Sequence, residues 1–95
     1  MSDTPWQVTH NAARSRFEAT VDGQLCVADY RQQGNVLQMT HTGVPPALEG
    51  RGIAASLVRT AVEHARANGL KIAPLCSYVA VYMRRHPEAQ DVLAA

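Results

Sequence analysis

The sequence predicts a small α/β domain: an antiparallel three-stranded meander, extended by a strand–helix–strand passage into a mixed sheet with two main helices packed on it. Three observations carry that prediction. Apolar and polar residues alternate from Arg16 to Thr42, and the period becomes helical from Ile53. A segment rich in glycine and proline separates the two regimes.

Each element follows from local chemistry. Phe17, Ala19 and Val21 fall on one face of a first strand, with Arg16, Glu18 and Thr20 on the other. Asp22-Gly23 suits a two-residue hairpin, whose turn needs positive φ. Leu25 to Tyr30 reads as the second strand, Gln33-Gly34-Asn35 as a turn, and Val36 to Thr42 as the third strand. Residues 43–52 contain Gly43, Pro45, Pro46, Gly50 and Gly52, which no regular element tolerates. The helix from Ile53 puts Ile53, Leu57, Val58, Ala61, Val62 and Ala65 on one face. Its other face carries Ser56, Arg59, Thr60, Glu63 and Arg66. Asn68-Gly69 stops it, because glycine takes the left-handed conformation that ends helices. Leu70 to Ala73 is a short fourth strand closed by Pro74, and Ser77 to Arg85 is a second helix. Pro87 ends that helix or opens a last turn through Leu93. A right-handed crossover through the first helix makes the fourth strand parallel to its partner. Residues 1–13 lack a clear period and are expected to form a loosely ordered or extended lead-in to a single domain covering 1–95.

Composition narrows the partners. A chain of 95 residues has room for one core, burying about 60–65% of its unfolded surface. A net charge of +1 with no basic run argues against nucleic acid. No apolar run approaches the roughly 20 residues a membrane span needs. Met1-Ser2-Asp3-Thr4-Pro5 has no basic-then-apolar start of a secretory leader. Cys26 and Cys76 show neither CxxC nor Cys/His ligand spacing, so no metal is expected. Both thiols are expected to be reduced, in a cytoplasm.

The loop before the long helix is the strongest functional signal. Gly50 and Gly52 let backbone N–H groups converge, and the helix start adds unpaired N–H groups and the positive end of its dipole. Together they suit a pyrophosphate. The plainer alternative is that the glycines only turn the chain. No Lys-Ser/Thr pair follows, as a P-loop requires, and the third glycine of a dinucleotide fingerprint is missing.

The pattern Glu49-x-x-Gly52-x-Ala54, opening a long helix after an antiparallel strand, resembles the acetyl-CoA loop of the GNAT acetyltransferases. His41-Thr42-x-Val44-Pro45 and Pro74-x-Cys76-Ser77-Tyr78-Val79, with Tyr82 and His86-Pro87, resemble a minimal single-domain branch of that superfamily. The likeness runs from about Phe17 to Leu93. It implies acetyl-CoA as cosubstrate, held by Thr42, Val44, Glu49, Gly50, Arg51, Gly52, Ile53 and Ala54. Glu49 stands where most members carry Gln or Arg, with Arg51 placed to compensate. The Asp22-Gly23 hairpin leaves no room for the helices that wall the groove of larger members. The acceptor is therefore expected to be a protein or peptide amine rather than an enclosed metabolite.

Acetyl transfer to an amine needs a neutral amine, a polarised carbonyl and a proton for the departing thiolate. The resemblance implies that backbone N–H groups around Thr42 to Val44 polarise the carbonyl. His41, placed by alternation on the face of Leu37 and Met39, is a candidate base. The alternative is a structural histidine at a strand end. Cys76 at a helix start is a candidate nucleophile or pocket wall, while Cys26 fits a small buried hydrophobe. Tyr82 resembles the helix tyrosine that protonates the CoA sulfur, although packing against Tyr78 explains it nearly as well. Direct transfer is the favoured route; acetylation of Cys76 is the other. A rival class is a CoA-binding or protein-interaction module without useful catalysis, supported by Glu49 and the missing walls. The acceptor's identity and the oligomeric state stay open.

Overall fold

The computed structural model describes residues 6–94, so the first five residues of the expected lead-in, and of the expected leaderless start, lie outside it. Five strands form one sheet in chain order. Strands β1 (Thr9–Asn11), β2 (Arg16–Val21), β3 (Gln24–Gln33) and β4 (Val36–Gly43) are antiparallel, and β5 (Lys71–Pro74) is parallel to β4. Helix α1 (Ile53–Ala67) joins β4 to β5, and α2 (Ser77–Arg85) follows. The mixed α/β architecture is the one the pattern predicts.

The lead-in is more ordered than its composition implies. Thr9 pairs with Glu18 and His10 with Phe17. A 3-10 turn over Ala12–Arg14 then ends on Ser15 at φ 54°. Three residues of strand are too few to show a period, so only the partner strand reveals β1. β3 likewise runs on through Arg31, Gln32 and Gln33, polar residues that pair with Gln38, Leu37 and Val36. Asp22 and Gly23 take φ of 51° and 76°, the two positive values a tight hairpin requires.

Every fully buried sheet side chain lies on one face: Phe17, Cys26, Ala28, Leu37, Met39 and Ile72. α1 buries Leu57, Val58 and Ala61 against it, and α2 adds Val79 and Met83. Each large side chain so buried contributes about 1.5–3 kcal/mol, and Leu57→Ala is expected to cost about 2–5 kcal/mol. The opposite face carries Arg16 and Asp29, joined at 3.1 Å. No helix of the described residues is long and apolar enough to cross a membrane.

One irregularity positions the site. Tyr30 faces Met39 and Asp29 faces His41, leaving Thr40 as a β-bulge. An inserted residue reverses the alternation beyond it. His41 therefore leaves the face of Leu37 and Met39 and joins Asp29 on the uncovered face, contrary to the simple alternation. Thr42, opposite Ala28, turns toward the helices. Nothing in the residue types around Thr40 announces the insertion.

Candidate functional site

The chain leaves β4 through a 3-10 turn over Pro46–Leu48, with Pro46 at a helix-start position and Leu48 1% exposed as its anchor. Gly50 and Gly52 both have φ of 86°. A Cβ at either would meet nothing within 4 Å, so glycine is demanded by backbone conformation rather than by crowding. Gly52 caps α1 without a side-chain hydrogen bond, and Ser56 N–H donates to its carbonyl at 3.0 Å. The preceding first-turn N–H groups are thus left without a capping side chain, beside the positive end of a 15-residue helix.

A cavity of about 570 Å³ opens here, within the roughly 300–1,000 Å³ typical of small-molecule sites. Thr42, Val44, Glu49, Gly50, Gly52, Ile53 and Ala54 line it, so seven of the eight residues singled out for the cosubstrate meet at one place. Arg51 does not. Its Nη1 donates to Asp22 Oδ2 at 3.1 Å, turning the side chain toward the β2–β3 hairpin. The compensation of Glu49 expected from Arg51 is therefore absent in this arrangement. Gly43, within the Thr42 to Val44 stretch expected to polarise the carbonyl, also lines it, and Leu48 and Tyr78 complete the wall without having been singled out for it. Leu48, an isolated large aliphatic between Pro46 and Gly50, was the available signal; Tyr78 is placed only by the packing of α2.

Cys76 sits at the start of α2, beside this wall. Its N–H and that of Leu75 both donate to the carbonyl of Met39, at 2.9 and 3.1 Å, fixing the end of β5 against β4. Cys76 Sγ lies 3.7 Å from Thr42 Oγ1, a contact that depends on the bulge turning Thr42 inward. Burial pushes the Cys76 thiol up, but the N–H of Val79, the Thr42 hydroxyl and the N–H of Tyr78 outweigh it, and the thiol falls below its ordinary value. Cys26, 0% exposed, is pushed up by burial alone.

The other two candidates are less centrally placed. Tyr82 is 7% exposed, is raised mainly by burial, and stacks on His86 at 3.8 Å between ring centroids. His41 folds back over Gly43, where a Cβ would stand 3.2 Å from its Nε2. His41 and Cys76 thus approach the end of β4 from opposite sides of the sheet. The described residues contain no cluster of three or more His, Cys, Asp or Glu side chains able to hold a metal.

A sheet of this order, with a glycine turn opening a long helix beside the pocket, can be compared with known families. A model of the GCN5-related N-acetyl-transferases matches residues 16–92, nearly the whole described fold. The chain belongs to this family. It is 33% identical over 89 residues to Protein NATD1 of Gallus gallus, covering 90% of this chain and 81% of that one. Protein NATD1 of Homo sapiens is 32% identical, with 90% and 79% covered. Among solved structures, a GCN5-like putative N-acetyltransferase from Staphylococcus aureus matches with a TM-score of 0.74 and 31% identity, covering 100% of this chain and 92% of that one. The GNAT membership expected from the motifs is shown.

Proposed function

We propose that this chain is an acetyl-CoA-dependent N-acetyltransferase that moves an acetyl group directly to a protein or peptide amine. The observation that carries the reading is the pocket at the uncapped start of α1, which runs to Thr42, the side chain that touches Cys76. The Gly50–Ala54 backbone holds the diphosphate, and Thr42, Gly43 and Val44 offer backbone groups to the pantetheine arm and the thioester carbonyl. The amine nitrogen attacks the carbonyl carbon, the carbon–sulfur bond breaks, and His41 takes the amine proton from the uncovered face. Tyr82 returns a proton to the departing thiolate, with Tyr78 on the pocket wall the other candidate for that step. The two-residue turn between β2 and β3 leaves the acceptor side unwalled, which suits an extended amine. Two free cysteines accord with a reducing cytoplasm.

A second route has its own support. The lowered Cys76 thiol beside the pocket favours transfer through an acetyl-Cys76 thioester. This forms as the bond from the acetyl carbon to the CoA sulfur breaks and CoA leaves as its thiolate, and it is then attacked by the amine with release of the Cys76 thiolate. The non-catalytic rival draws on Arg51, which is engaged by Asp22 and leaves Glu49 as the charged side chain on the pocket wall. Incubation with acetyl-CoA and a panel of peptides, polyamines and aminoglycosides separates these readings. Acetylated peptide is expected at higher kcat/KM than any small amine. An acetyl adduct on the protein without acceptor, lost in Cys76→Ala, marks the two-step route. Binding without acetylated product leaves the rival standing.

A further inference from the structure

The end of α1 remote from the pocket holds titratable groups that the proposed transfer does not use. His10 on β1 stacks on Phe17 of β2 with 4.3 Å between ring centroids and an interplanar angle of 15°. Its Nε2 lies 2.7 Å from the hydroxyl of Tyr30 on β3. The ring of His64 on α1 meets it edge-on at 4.4 Å. Three elements therefore converge on one imidazole carried by a fourth, and two of the four side chains in the cluster are histidines. Just before β1, Trp6 packs against the core with its indole N–H buried and without a partner among the described residues. An unsatisfied buried donor weakens the hold of the segment that carries it.

We propose that the His10–His64 pair is an acid-sensitive latch, which docks β1 onto β2 and α1 when neutral and releases it when protonated. The hydrogen bond to Tyr30 is not what breaks, because the hydroxyl can turn to accept from an imidazolium. The cost lies in placing a charge in a half-buried aromatic cluster and then a second, like charge against it. Accordingly His10 is held below its ordinary value of 6.5, first by burial and second by His64. Among the described residues no carboxylate offsets this. Tyr30 and His64 are the titratable side chains in contact with His10 from β3 and α1, while β2 presents Phe17 and keeps Arg16 and Glu18 on the other face of the sheet. Around the cluster, Arg14 and Glu63 are exposed, and Arg66 is paired with Asp91 at 2.8 Å. Because the docked His10 binds its proton less readily than the released one, docking is complete above pH 6.5 and is lost as pH falls toward the docked value. Release bares the edge of β2, a strand edge able to pair with another chain.

Trp6 is the single tryptophan and reports on the segment directly. Its fluorescence, followed from pH 8 to pH 5 alongside far-ultraviolet circular dichroism, is expected to show a solvent-exposure transition while the helical signal stays constant. His64→Gln keeps a helix-compatible polar side chain and removes the like charge. It is expected to move the transition to lower pH and to raise the His10 pKa read from its NMR ring-proton titration. His10→Asn is expected to abolish the titration. A flat Trp6 signal in the wild-type protein overturns the latch. So does a transition unmoved by both variants, or one that coincides with loss of the whole helical signal.

Discussion

The two ends of α1 treat polar groups in opposite ways. At its start, Gly52 supplies no capping side chain, the neighbouring loop takes φ of 86° twice, and a cavity lies against the first turn. At its end, the N–H and the side-chain amide of Asn68 both donate to the His64 carbonyl, at 3.1 and 2.9 Å. The His64 ring is packed against His10 and Phe17. The titratable groups follow suit: amides and a hydroxyl make the Cys76 thiol easier to ionise, whereas burial makes His10 harder to ionise. One end keeps donors free beside open space, and the other consumes them in packing. That difference, more than the presence of glycines, supports the proposed ligand site at the start of the helix.

Damage at each end should be separable from damage at the other. Phe17→Ala, at the packed end, is expected to cost about 3–5 kcal/mol in urea denaturation, while the folded fraction keeps its affinity for acetyl-CoA. Gly52→Asp should do the reverse. At about 100 times Kd, acetyl-CoA is expected to stabilise the wild-type chain by about 2.7 kcal/mol, and the aspartate should remove that gain by adding charge and bulk at the diphosphate. Thermal shifts with and without ligand read both variants. If Phe17→Ala weakened binding as much as Gly52→Asp, the two ends would not be separable. The smallest effect on the molecule itself is chemical. Iodoacetamide at neutral pH is expected to label Cys76 roughly 100-fold or more faster than Cys26, which reacts only on opening. Labelling at equal rates would remove the distinction between a poised thiol and a buried one.

Much of this arrangement was legible because certain residue types have few conformational options. Asp22-Gly23, Gly50, Gly52 and Asn68-Gly69 mark places where φ must be positive or a helix must stop, and each turn fell where expected. The apolar faces of β2 and α1 were equally plain, since a period over six or fifteen residues is hard to mimic. What escaped depends on partners distant in sequence. β1 exists because β2 offers an edge, and the bulge at Thr40 is visible only in the β3–β4 register. That single inserted residue sends His41 to one face and Thr42 to the other. Arg51 could be placed in the loop, but not its ion pair with Asp22, which lies 29 positions away.

Acetyl-CoA bound at the open end of α1 is proposed to give its acetyl group to an amine. Mass spectrometry of a lysine-bearing peptide with a free N-terminus, incubated with the protein and acetyl-CoA, tests it directly, with free CoA measured in the same samples. The expected result is acetylated peptide formed in step with CoA release and absent with Gly52→Asp. CoA released without acetylated amine, or equal product from the Gly52→Asp protein, would contradict it.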